Sequence, residues 1–376
     1  MVKNNNKGMS TTIVAVLAAI IIIIIAVGAY VAIDKPFGGT AVNNTLPAAS
    51  LIGGGSSFVY PLMSNWTADF YNLNPAVQIT YQSVGSGTGQ KNLFNYTFDF
   101  AGSDPPLTSA QLATYTNITE IPEACGGVTM AYNIPGIPAG LNLTANVIAE
   151  IFQGNITNWD NSQIQALNPG FTMPNMAIVA VHRSDSSGTT NIFSSYLSNA
   201  STVWVLGHGN TINWPSGQLS GAQNSGVATV VQQTSGSIGY IEYFYAASNG
   251  ITFANVQDYN GQFVTPSLTT IGNAANVGAP LLQTNIGNLI VNLPGDDVYP
   301  ISSFTYIFVY TNMTYLGQNN AIDLANFISW CVNKGQVYGP DLYYPELPSS
   351  VVTLANTAIN TLTYNGSAIT IYSMNK

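Results

Sequence analysis

The stretch Ala177-Ile178-Val179-Ala180-Val181-His182-Arg183-Ser184-Asp185-Ser186-Ser187-Gly188-Thr189-Thr190 decides how this chain is read. An apolar run with strand character, residues 177–181, enters a turn made of hydroxyls and a glycine. The turn passes into Asn191-Ile192-Phe193-Ser194-Ser195-Tyr196-Leu197, whose apolar spacing is helical. Arg183 is the sole arginine among 376 residues. Its guanidinium is a planar, permanently charged fork of donors suited to carboxylate or phosphate. Small residues that open a helix expose backbone N–H groups at its positive end, where anions bind. Two readings stay open on this stretch alone: an oxyanion site, or an ion pair between Arg183 and Asp185.

The same grammar of strand, small-residue turn and helix recurs towards the N-terminus. Gly53-Gly54-Gly55-Ser56-Ser57 leads into an amphipathic stretch, residues 58–71. Val77-Gln78-Ile79-Thr80-Tyr81 alternates like a strand and is followed by Gly85-Ser86-Gly87-Thr88-Gly89 and a short helical run over 90–94. Phe98-Asp99-Phe100-Ala101 runs to Ser103-Asp104-Pro105-Pro106, with a helix expected from about Ser109. Residues 237–241 and 304–310 read as further strands, and the alternation predicts an α/β fold. In open α/β sheets ligands gather at the carboxyl ends of strands, where such turns lie. Each helix start there offers orphan N–H donors and about half a positive charge. Three such turns and the lone arginine together favour the oxyanion reading over ordinary loops.

Composition limits the partners. Charged residues make up 6 % of the chain, against the roughly 25 % usual in soluble proteins. After residue 33 there are five cations and sixteen acids, a formal charge of −11, which excludes nucleic acid as a natural partner. Residues 13–33 carry no charge and include six consecutive isoleucines. Twenty-one residues of helix span roughly 32 Å, enough to cross a bilayer core and longer than a cleaved signal core. Lys3 and Lys7 precede this run and place the N-terminus (1–12) in the cytoplasm and the bulk of the chain outside. Lys7-Gly8 also resembles the processing site of archaeal pilin-type signal sequences. Residues 34–49 read as a tether. Nine Asn-x-Ser/Thr sequons, at Asn43, Asn65, Asn95, Asn117, Asn142, Asn155, Asn199, Asn312 and Asn365, suit a glycosylated exterior domain. The scarcity of charge also suits an acidic medium. Cys125 and Cys331 are read as buried small hydrophobes, with a disulfide left open, and no Cys/His cluster has metal-ligand spacing.

From about Ser50 to Leu362 the chain resembles the substrate-binding proteins of ABC-type phosphate importers. The resemblance rests on Gly53–Phe58, Tyr81–Gly87, Asp99–Leu107, Ala131–Gly136, Ile151–Trp159, the Arg183 stretch, Gly236–Tyr243 and Tyr299–Ile301. It implies a two-lobed periplasmic-binding-protein-like fold of type II. Lobe I would comprise 50–126 and 298–376, lobe II 127–297, joined by hinge strands. Carried over by position, Ser57, Phe58 and Ser86 would donate from two helix starts. Arg183, Ser187, Gly188 and Thr189 would bind from the second lobe, Asp185 would orient Arg183, and Asp104 would accept a proton from phosphate. The implied partners are inorganic phosphate and an ABC permease, with membrane contact through the N-terminal helix and no cofactor. His182 stands where the family often has a second basic residue.

The physics of the residues agrees with that assignment. A buried anion must be fully hydrogen-bonded, and neutral dipoles at helix starts plus one guanidinium can do this. A carboxylate accepts the proton that phosphate retains, whereas sulfate offers none and is repelled, which makes Asp104 the selectivity residue. With Arg183 nearby, Asp104 is expected to be ionised above about pH 3. The rival readings are a hydrolase using His182, Asp185 and Ser186 or Ser187, a pilin-like structural subunit, and the same fold holding arsenate or sulfate.

Overall fold

The computed structural model describes residues 46–372. The expected anchor over 13–33, the preceding cytoplasmic segment and most of the tether lie outside the described residues. Among the described residues, no helix is long and apolar enough to cross a membrane.

Eight strands form the central sheet: β1 (Ala49–Gly55), β2 (Val77–Ser83), β3 (Phe100–Ser103), β4 (Ile118–Asn133), β5 (Val179–Arg183), β6 (Leu219–Gly221), β7 (Ser237–Glu242) and β8 (Ser302–Tyr310). Their order is β2-β1-β3-β8-β4-β7-β5-β6. Strands β2, β1 and β3 are mutually parallel, as are β7, β5 and β6, while β8 and β4 run antiparallel between the two groups. Strand β4 belongs to both: residues 118–127 pair with β8, and 128–133 pair with β7. The carboxyl ends of β1, β2, β3 and β5 run into the Ser56-Ser57, Gly85, Asp104 and Ser184–Ser187 turns, and Gly85 lies against Asp185 and Ser186, so topology gathers the small-residue turns with Asp104.

Helices α1 (Tyr60–Leu73), α2 (Ser86–Phe94), α3 (Gly188–Ala200) and α4 (Gln223–Gln233) follow β1, β2, β5 and β6 in turn. The first begins two residues later than the sequence suggests, because Phe58 is wholly buried and Pro61 takes the first helical turn, where its missing N–H costs nothing. The second begins earlier, at Ser86, directly after Gly85 at φ 85°. A side chain at Gly85 would be strained there and would meet Asp185 Oδ2 and Ser186 O. Strand β5 pairs two residues further along than expected and so carries Arg183 itself on the sheet. The sixteen residues of β4 escaped recognition because a strand covered on both faces lacks the period-two pattern.

Each half has its own core. Phe70 packs edge-on against Phe327 and Trp330, with centroids 5.2 and 5.7 Å apart. In the other half Ala131, Val181, Val227, Val231 and Ile241 form the buried cluster. The buried indoles of Trp66 and Trp159 donate to Gly335 O and Gly236 O, each at 2.8 Å. Cys125 and Cys331 are both buried free thiols, which closes the question of a disulfide between them.

Candidate functional site

Arg183 ends β5 with its side chain almost fully buried. Its Nε and Nη2 donate to the two oxygens of Asp185 at 2.8 and 2.6 Å, and Nη1 donates to Thr189 Oγ1 at 3.1 Å. Burial alone would push the Asp185 carboxyl up, but hydrogen bonds and charge from Arg183, with Gln223 N at 3.0 Å, pull it below the ordinary range. The ion pair and the anion site are therefore compatible. A guanidinium has five N–H donors, so the pair and the threonine leave two free.

The start of α3 adds donors on the same side. Ser187 is the N-cap, and its Oγ accepts Thr190 N at 3.1 Å. That geometry leaves the serine proton free, and the N–H groups of Gly188 and Thr189 have no acceptor within the helix. Thr189 Oγ1 accepts from Arg183 and, at 3.1 Å, from Asn224 Nδ2, so its own proton is also free to donate. A Cβ at Gly188 would collide with Asp104 Oδ2 and Ser86 Oγ, so glycine is what lets the two halves meet here.

Asp104 follows β3 and is 1 % exposed. Ser56 Oγ and Thr305 Oγ1 (3.1 Å) donate to its Oδ1, and Ser86 Oγ lies 3.4 Å from Oδ2. Burial drives this carboxyl up to about 6, outweighing the hydroxyls and Arg183 that pull it down. The expectation of an ionised Asp104 from about pH 3 is thus corrected: the desolvation cost of full burial exceeds the relief from a guanidinium already paired with Asp185.

Ser57 Oγ accepts Asn224 N at 3.2 Å and Asn224 Nδ2 at 3.0 Å, leaving its proton free. Phe58 differs from expectation, because its N–H is bonded to Ser56 Oγ at 2.9 Å rather than free. All nine expected residues stand around one small region, with Arg183, Asp185 and Ser187–Thr189 facing Ser57, Ser86 and Asp104. Further members went unread. Asn224 ties Ser57 to Thr189, and Gln223, at φ 62°, bonds Ser83 across the halves. The turn before α4 repeats the strand–turn–helix grammar, a signal that could have found Asn224; nothing in the sequence marks Thr305.

A hydrolase triad is not assembled. Asp185 is engaged by Arg183, and His182 Nδ1 lies 2.9 Å from Arg183 O with its ring stacked on Trp214. Ser187 Oγ serves as a helix cap.

A family model described as "PBP superfamily domain" matches residues 41–334. The phosphate-binding protein PstS of Xylella fastidiosa is 38 % identical over 320 residues, covering 82 % of this chain and 86 % of that one. That of Methanocaldococcus jannaschii is 33 % identical over 343 residues, covering 85 % and 88 %. The solved phosphate-binding protein of Stenotrophomonas maltophilia aligns with a TM-score of 0.64 at 20 % identity, covering 82 % of this chain and 94 % of that one. This last likeness speaks for the fold.

Proposed function

Because this chain belongs to the PBP superfamily, in the family of the phosphate-binding proteins PstS, we propose that it captures inorganic phosphate outside the cytoplasm and delivers it to an ABC-type importer. It is a binding protein and not an enzyme. The observation that carries this reading is the balance of the site: many proton donors and one unsaturated acceptor. Two guanidinium N–H groups, the hydroxyls of Ser57, Ser187 and Thr189, and the N–H groups opening α3 converge there. Opposite them stands Asp104 alone. An anion that still bears a proton satisfies both sides; one without a proton leaves the carboxylate facing it unpaired.

We place the lobes at 50–126 with 298–376 and at 127–297, with the first crossing beside the Gly127-Val128 step, where β4 changes partner from β8 to β7. The second crossing is the segment entering β8, where Val128 N donates to Ile301 O at 2.8 Å. Residues 13–33 serve as the membrane anchor in this reading. Six of the eight sequon asparagines among the described residues are exposed, which fits a glycosylated surface; Asn65 and Asn142 are half-buried.

Calorimetry on the purified chain tests the function. One phosphate per chain should bind, with sulfate weaker by orders of magnitude at neutral pH. Equal affinity for the two anions would refute phosphate as the cargo.

A further inference from the structure

Thr305, on β8, sets its hydroxyl between two carboxyl groups, 3.1 Å from Asp104 Oδ1 and 3.4 Å from Glu123 Oε1. Ser103 O lies 3.3 Å away as well. A threonine carries one hydroxyl proton, and the shortest of these contacts gives it to Asp104. Glu123, on β4, is wholly buried; its Oε1 has Thr305 as partner and its Oε2 has none. The groups that bear on it electrostatically are Asp104, Tyr81 and Cys331, none of them a cation. Gln336 Nε2 donates to the Glu123 backbone oxygen at 2.9 Å, not to its carboxyl. The guanidinium of Arg183 is held by Asp185 and Thr189, and Arg183 is not among the groups that bear on Glu123. An ionised Glu123 would be a buried charge with no donor of its own, which is prohibitively costly.

As a neutral acid, Glu123 resolves the count. Its O–H donates to the Thr305 oxygen, and the Thr305 proton is then directed at Asp104. Ser56 shows the same polarity, because its oxygen accepts Phe58 N and its proton goes to Asp104. Every hydroxyl around Asp104 thus points at it.

We propose that Glu123 is a positioning residue for anion selectivity, a buried neutral acid that turns the Thr305 hydroxyl towards Asp104 and holds that carboxylate as the acceptor of the site. The proposal rests on the reading of Asp104 given above. Without Glu123, the Thr305 hydroxyl loses its own donor and is free to turn to Ser103 O.

The test is calorimetry of phosphate and sulfate on the full chain near neutral pH, for Glu123→Gln, Glu123→Leu, Thr305→Val and the Leu/Val double variant. Leucine and valine should each lower the phosphate-to-sulfate ratio by roughly 3- to 10-fold, the worth of one hydrogen bond. The double variant should fall no further, since both break one chain of bonds. Glutamine, whose amide N–H can replace the acid proton, should restore the ratio. An unchanged ratio in Glu123→Leu, or a loss in Glu123→Gln as large as in Glu123→Leu, overturns the proposal. Asp104→Asn separates the levels. If it leaves the ratio intact, the Asp104 reading and this one fall together; if it collapses the ratio while Glu123→Leu and Thr305→Val do not, Glu123 alone falls. Should the leucine variant fail to fold, infrared difference spectra of wild type against Glu123→Gln decide the matter. The glutamine must remove a protonated-carboxyl band, and removal of an ionised-carboxylate band instead would overturn the assignment.

Discussion

Asp104 and Asp185 stand on opposite sides of one site and are held in opposite ways. Asp185 takes two hydrogen bonds from a guanidinium and a third from a backbone N–H, and its carboxyl sits below the ordinary range. Asp104 is surrounded by neutral hydroxyls, and burial lifts it to about 6. The side chains are chemically identical, so the partner decides the role. A carboxylate paired with a cation is a counter-ion that fixes the cation's direction. One that has only hydroxyl donors retains lone pairs that a proton-bearing ligand can use. This division lets an anion site contain two acids without repelling its ligand.

The largest effect on affinity for both anions alike should come from the pair containing Asp185. Arg183→Lys replaces a bidentate fork with a point charge and should weaken phosphate and sulfate binding alike, by roughly 10- to 150-fold. Asp185→Asn should change both affinities by the same factor and leave their ratio within about twofold, because a counter-ion does not read the ligand's proton. Titrations with both anions check this. A ratio in Asp185→Asn that falls as far as in Asp104→Asn would erase the distinction drawn here.

A smaller effect extends the comparison to the whole fold. Asp104 is one of several acids that burial raises: Glu120 and Asp323 to about 7, Glu123 and Glu242 well above the usual range. Both oxygens of the buried Asp323 lack a partner. Each such group favours the folded state in its protonated form. Their contribution is complete below the ordinary carboxylate range near pH 4 and is lost as pH rises through 6 to 7 and beyond. Asp185, lowered by Arg183, and His182, lowered by burial, work in the opposite sense, against the larger set of raised carboxyls. Urea unfolding should therefore show a higher midpoint at about pH 4 than at about pH 8. A midpoint higher at about pH 8 would mean that these carboxyls are ionised in the folded protein.

Much of this was legible in the chain because loops that bind anions must be built of small residues at helix starts. The turns at Ser56-Ser57, Gly85-Ser86 and Ser187–Thr189 announced themselves in that way, as did the solitary arginine. What stayed hidden is what supports them from a distance. Thr305 and Glu123 lie in strands covered on both faces, where neither periodicity nor motif signals a polar role. Sequence shows an arginine that could lie near Asp104 but not the burial that outweighs it, nor that the arginine is engaged by Asp185. Nor does sequence show that the hydroxyl of Ser56 reaches the Phe58 N–H.

The central claim is that Asp104 reads a proton on the ligand, and the most direct measurement is the phosphate-to-sulfate affinity ratio in wild type and Asp104→Asn. Near pH 8, above the value of about 6 to which burial raises this carboxyl, wild type should prefer phosphate by orders of magnitude. Asparagine, which can turn its amide to donate to an ionised oxygen, should collapse that preference mainly by improving sulfate binding. Near pH 4, where Asp104 is protonated, wild type should approach the variant. A ratio that the substitution leaves unchanged at both pH values would contradict the account.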